Sequence, residues 1–262
     1  MFTLRKYFTK PKSEYKRIFL IKLSQALAFP VRRKWTRFFN IYLALQPDSH
    51  IRFGKHPEFN SLFKKFTQHN TYNPGDIPRL WSFIFNCKQI INERIEGDFA
   101  EVGVWRGNTA AVLKHYAELS DRNVYLFDTY EGFSAKDLTG VDANKARAFE
   151  DTSVELVAGV LGESYHKCHF VKGYFPESAT EVHKNSTYAV VSLDCDLYEP
   201  TKAGLNFFYE RMPRGGIFFL HDYLSNHWSG VKKAVDEFCL ERGEFIVVMP
   251  DKTGSAFLRK TK

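Results

Sequence analysis

From Asp98 to the C-terminus, short apolar runs alternate with stripes of helical spacing, and this alternation narrows the fold more than any other feature of the chain. Residues 99–103, 123–128, 168–172, 188–194 and 216–221 read as strands, and 109–119, 151–161, 202–211 and 231–240 as helices. Apolar strands separated by helices pack as a mostly parallel sheet with helices on both faces. Two further strands, 244–249 and 255–258, are joined only by Asp251-Lys252-Thr253-Gly254, too short for a parallel crossover. The expectation is a seven-stranded, mostly parallel α/β sheet whose C-terminal hairpin is reversed. A helix beginning at Ile77 or Pro78 after the turn Asn73-Pro74-Gly75-Asp76 precedes the first strand. Its stripe of Leu80, Phe83, Ile84, Cys87, Ile90 and Ile91 is core, its end falls near Glu96-Gly97, and the loop around Tyr72 to Asp76 is expected to belong to a lid.

The chemistry concentrates at strand ends. The fourth strand runs into Asp194-Cys195-Asp196 and the fifth into His221-Asp222-Tyr223. Strand parity puts Asp194 and Asp196 on one side of their strand's tip. If the two strands are parallel neighbours, all four polar groups meet at the carboxyl edge of the sheet, where open α/β sheets bind ligands. At the first strand's end, Gly103 and Gly107 form Gly-x-x-x-Gly; Trp105 occupies the glycine position that the dinucleotide fingerprint needs, which argues against a Rossmann dehydrogenase. Asp128, ending the second strand, is placed to accept hydrogen bonds from a ribose diol. Each feature also has a plainer reading: acids solvating a strand end, a hydrogen-bonded histidine near the core, Thr201 as an ordinary N-cap. His227, Trp228 and Lys232 follow the fifth strand, where either acceptor contact or loop packing accounts for them.

The formal charge is unevenly spread. Through His56 there are thirteen Lys and Arg against Glu14 and Asp48, a charge of +11, which leaves −4 for the rest of a chain whose total is +7. Residues 1–56 are therefore set apart as a basic, aromatic-rich helical arm, with 57–262 as the second domain. The apolar run 18–29 is interrupted by Lys22, Ser24 and Gln25 and is shorter than the roughly 20 residues of a spanning helix. It also lacks a small-residue cleavage site and is read as retained. Two readings stand for the arm: peripheral contact with an anionic membrane face through Trp35, Phe38 and Phe39, or packing on the second domain or on another copy in a homo-oligomer. No nucleic-acid motif accompanies the basic residues, and no nucleic-acid partner is expected. Cys87, Cys168, Cys195 and Cys239 have neither disulfide nor zinc spacing, and the expected compartment is the cytoplasm, at most peripheral to the inner face of the membrane.

Four phrases carry a resemblance: 97–107 with Glu101-Val102-Gly103-Val104-Trp105-Arg106-Gly107, 127–133 with Phe127-Asp128-Thr129, 193–201 with Asp194-Cys195-Asp196, and His221-Asp222-Tyr223. In this order the chain resembles the macrocin O-methyltransferase family, from about Tyr72 onward. The family has the Rossmann-like sheet and reversed hairpin of class I S-adenosylmethionine-dependent methyltransferases, and the resemblance implies metal-dependent methylation of a sugar hydroxyl. The acceptor would be a glycoside, a nucleotide sugar or a cell-surface polysaccharide. The resemblance further implies that Glu101, Gly103, Val104, Trp105 and Gly107 surround the methionine and ribose of S-adenosylmethionine, that Asp128 holds the ribose, and that Gly173, Tyr174 and Phe175 lie near the adenine. Asp194, Asp222 and the residue before Asp222 would hold Mg2+ or Mn2+, with Asp196 as general base. Where the family carries a second acid, this chain has His221. An imidazole there suits manganese or another transition ion, or leaves His221 as a base beside a weakened metal site. The alternative is a methyltransferase fold that binds cofactor or assembles with partners without transferring methyl.

Overall fold

The computed structural model describes residues 58–69 and 76–262. The expectations for the arm over 1–56 and, apart from Asp76, for a lid around Tyr72 to Asp76 fall outside these residues. In chain order the elements are α1 (Phe59–Thr67), α2 (Ile77–Asn92), β1 (Asp98–Val102), α3 (Asn108–Leu119), β2 (Val124–Asp128), α4 (Val154–Leu161), β3 (Cys168–Lys172) and α5 (Glu181–Asn185). There follow β4 (Tyr188–Leu193), α6 (Tyr198–Tyr209), β5 (Ile217–Leu220), α7 (Ser229–Arg242), β6 (Ile246–Val248) and β7 (Ala256–Arg259). A single 3-10 turn, Gly140–Asp142, interrupts the long connection between β2 and α4.

The strands form one sheet in the order β3-β2-β1-β4-β5-β7-β6. β1 lies parallel between β2 and β4, and β5 is parallel to β4, while β7 runs antiparallel to both β5 and β6. The expected reversed hairpin is present. β4 is buried along its whole length and β5 likewise, as expected of strands covered on both faces. One face packs Phe99, Val124, Leu126, Val190 and Phe219 under α2 and α3; the other packs Val102, Phe127, Val191, Leu193 and Phe218 under α6 and α7. Phe83 of α2 stacks on Phe219 of β5 at 4.1 Å between ring centroids, fixing that helix over the centre of the sheet. Among the described residues, no helix is long and apolar enough to cross a membrane.

The helix α2 ends at Asn92 rather than near Glu96-Gly97, and two helix starts differ from expectation for a physical reason. α4 begins at Val154 because the Ser153 hydroxyl accepts from Leu156 N at 3.1 Å and caps it. α6 begins at Tyr198, before Lys202, and Thr201 is not its N-cap. The cap comes from a distant segment: the buried Asp142 carboxylate accepts from Tyr198 N at 2.7 Å, while the Thr201 hydroxyl donates to Leu197 O inside the first turn. Asp142 also presses on the start of α7, where a Cβ at Gly230 would lie 2.4 Å from its Oδ2. The connection carrying the 3-10 turn is thereby tied to the first turns of two helices that leave the carboxyl edge.

Candidate active site

Parallel ladders continue past the formal strand ends and set the site's frame. Asp194 N donates to Val102 O at 3.0 Å and His221 N to Leu193 O at 3.0 Å, so the tips of β1, β4 and β5 stand side by side. Beyond them the backbone leaves the sheet in left-handed turns at Trp105, Tyr130, Asp196 and Asp222, with φ of 45°, 55°, 61° and 58°. Non-glycine residues in this region are uncommon, and four of them stand along this one edge. The pleat therefore does not account for how Asp194 and Asp196 converge. β4 stops at Leu193, and a tight turn closed by Leu197 N donating to Cys195 O swings Asp196 back toward Asp222.

His221 stands between two carboxylates, its Nδ1 2.7 Å from Asp194 Oδ1 and 2.5 Å from Asp222 Oδ2. That nitrogen is buried, and both carboxylates lie within ion-pair distance of it. Its Nε2 meets Thr253 Oγ1 at 3.1 Å. The other Asp194 oxygen accepts from Arg79 Nη2 at 2.6 Å. Burial alone would raise the Asp194 carboxyl, but His221 and Arg79 outweigh it and hold the group below the usual carboxylate range. Burial and Arg79 act against the His221 imidazolium, yet Asp194 and Asp222 prevail and push His221 up to about 10. Burial, then the charges of Asp222 and Asp194, raises Asp196 well above an ordinary carboxyl.

The cofactor side adjoins these acids. Gly103 has φ +83°, and a Cβ there would lie 2.1 Å from Asp194 O, so the turn after β1 touches the backbone of Asp194. Glu101 is buried and raised well above its usual range, first by burial and then by Asp194, and its Oε2 has no hydrogen-bond partner. Asp128 ends β2 as expected, but its carboxylate already orders the glycine turn: Oδ2 accepts from Val104 N at 2.6 Å and Trp105 N at 2.9 Å, and Oδ1 from Tyr130 N at 2.7 Å. A carboxylate offers about four acceptor sites, so capacity for a ribose hydroxyl remains. Asp128→Ala is expected to weaken S-adenosylhomocysteine binding by roughly 10–100-fold, the loss of charge-assisted hydrogen bonds. Unchanged calorimetric affinity would remove Asp128 from the cofactor site.

The three residues after β3 divide. Gly173 and Tyr174 stay at the edge, Tyr174 donating to Asp137 Oδ1 at 2.5 Å. Phe175 is 5% exposed and stacks on Phe208, so its ring serves the core and only its backbone borders the edge. Trp105 Nε1 donates to Asp151 Oδ1 at 2.8 Å, and its ring meets Phe149, which also contacts Phe133; Phe133 in turn meets Trp228. This aromatic series links the glycine turn to the loop after β5. Asp137, Phe133, Phe149 and Thr253 were not singled out in the sequence, since nothing local marks them. Arg79 carried a signal: a cation in the first turn of an apolar helix, where the helix dipole disfavours positive charge, requires a nearby acid.

Comparisons with known proteins bear on the family and the fold. The demethyldecarbamoylnovobiocin O-methyltransferase of Streptomyces niveus is 25% identical over 184 residues, covering 64% of this chain and 68% of that protein. The 8-demethyl-8-(2,3-dimethoxy-alpha-L-rhamnosyl)-tetracenomycin-C 4'-O-methyltransferase of Streptomyces olivaceus is 27% identical over 164 residues, or 56% of this chain and 60% of its own length. Among solved structures, the O-methyltransferase NovP superposes with a TM-score of 0.56 at 22% identity, over 71% of this chain and 81% of that one, which shows the shared fold. The family described as Macrocin-O-methyltransferase (TylF) matches residues 77–257, from the start of α2 into β7, and the chain belongs to that family of S-adenosylmethionine-dependent O-methyltransferases.

Proposed function

We propose that this protein methylates a hydroxyl of a sugar carried on a small-molecule glycoside, with a divalent ion held by Asp194, His221 and Asp222 and with Asp196 as general base. The observation that carries the reading is the buried Nδ1 of His221 set within 2.7 Å of two carboxylates, beside the glycine turn. One ligand atom from each of these residues lies within 4.8 Å of the others. Two carboxylate oxygens with an imidazole nitrogen form a donor set that accepts Mn2+ more readily than Mg2+, which prefers oxygen ligands and retained water. When bound, the ion would polarise the acceptor hydroxyl and lower its pKa. The sugar-modifying relatives support the acceptor class.

The chain's own residues account for the remaining chemistry. The glycine turn, ordered by Asp128, lets the backbone approach the methyl donor closely. Asp196 sits next to Asp222 and, as the carboxylate, takes the proton leaving the hydroxyl. Alignment of hydroxyl and methyl at one sheet edge contributes up to about 7–11 kcal/mol in favourable cases. Methyl transfer to a panel of glycosides and nucleotide sugars should fall by on the order of 10²-fold or more in excess chelator and return with Mn2+. Full activity in chelator would contradict the metal. Cofactor binding with neither Mn2+ uptake nor turnover would favour the non-catalytic alternative, in which His221 has displaced an essential acid.

A further inference from the structure

Arg79 takes no part in the proton transfer described above, yet its side chain is only 4% exposed and lies directly behind the acids. Its guanidinium sits between the rings of Phe66 and Phe83, at 5.9 and 5.8 Å from their centroids. A cation so enclosed, in the first turn of α2, is costly unless an acid offsets it. Asp194 does so through Oδ2 at 2.6 Å, and Thr109 Oγ1, in the first turn of α3 after the glycine loop, is 3.4 Å from the same nitrogen. The two oxygens of Asp194 are thereby given different tasks: Oδ2 to Arg79, Oδ1 toward His221.

We propose that Arg79 is a positioning residue for the metal centre, holding Asp194 so that it offers one oxygen to the ion, at the expense of ion affinity. This inference rests on the metal-dependent reading above and assigns Arg79 within it. The two effects have opposite signs. Fixing the carboxylate favours the reactive arrangement, as partners behind metal ligands commonly do. A permanent positive charge on the ligand's other oxygen repels a second cation in a poorly screened interior. An arginine without this role would, on removal, weaken fold and metal together.

The test measures Mn2+ uptake by the paramagnetic resonance of free Mn2+, together with kcat at saturating Mn2+, on the full chain. Arg79→Gln, which keeps a hydrogen-bond donor and removes the charge, should bind Mn2+ at least about tenfold more tightly and lose about 10–100-fold in kcat. S-adenosylhomocysteine affinity serves as the check of folding. Arg79→Lys keeps the charge without the planar fork, so Mn2+ affinity should stay near wild type while kcat still falls. Equal or weaker Mn2+ binding by a folded Arg79→Gln protein would overturn the assignment. If that variant does not fold, a lysine variant with wild-type kcat would overturn it. Wild-type protein that takes up no Mn2+ would remove the metal itself, and this assignment with it.

Discussion

Asp196→Asn is expected to lower kcat by about 10²–10⁴-fold, the usual contribution of a positioned general base, while S-adenosylhomocysteine affinity and thermal stability stay close to wild type. The substitution isolates chemistry from structure because of the backbone at this position. Asp196 has φ +61°, a conformation that asparagine and aspartate tolerate better than other side chains. An amide of the same shape can hydrogen-bond Asp222, and it relieves the crowding of three acids that raises Asp196 in the first place. What it cannot do is accept the hydroxyl proton. A fall in kcat with cofactor affinity unmoved marks an interaction made only on the way to the transition state. Full sugar methylation by this variant would contradict the base. Asp196→Ala is the less informative change, because a residue with no local hydrogen bond is also strained at this φ.

How much of the site was legible depended on whether its causes are local. Neighbouring parallel strands were enough to bring Asp194, His221 and Asp222 to one edge, whereas Asp196 reaches them through a turn beyond β4 that strand parity does not describe; the antiparallel hairpin followed from a turn too short for a crossover. Glycines before a helix and an acid ending the next strand marked a turn that the structure brings against Asp194. Features set by distant segments did not show. Asp142 caps α6 across 56 residues of chain, which moves the helix start four residues upstream of Lys202. Phe175 looked like an edge residue from its place after β3, yet the vacancy beside Phe127 and Phe208 claims its ring. The place of Asp128 at a strand end points to a ribose acceptor, but nothing local shows that three backbone N–H groups share its carboxylate. α1 was missed because its apolar positions Phe59, Leu62 and Phe66 span too short a stripe to stand out.

Gly103→Ala is expected to destabilise the fold by about 3 kcal/mol or more and to abolish both cofactor binding and turnover, a larger effect than any other single methyl in the site. Two costs combine. Alanine at φ +83° carries strain of about 1–2 kcal/mol. The added Cβ would also stand 2.1 Å from Asp194 O and 2.7 Å from Asp194 C, and these are backbone atoms that no rotamer change can move. To admit it, the tips of β1 and β4 must part just where Asp194 N donates to Val102 O at 3.0 Å. That displacement would carry Asp194 away from His221 and open the glycine turn at once. Gly107→Ala separates the two costs. Its φ of +78° imposes similar strain, but the Cβ would meet Val157 Cγ1 at 2.7 Å, a side-chain methyl that can turn aside. Its loss should therefore stay near the strain alone, about 1–2 kcal/mol. Urea unfolding of the two variants, with calorimetric binding of S-adenosylhomocysteine, gives the comparison. Equal losses would mean that the methyl at Gly103 meets no rigid neighbour; a clear excess at Gly103, joined to lost cofactor binding, is the mark of two strands whose contact places the methyl donor and the acids at a single edge.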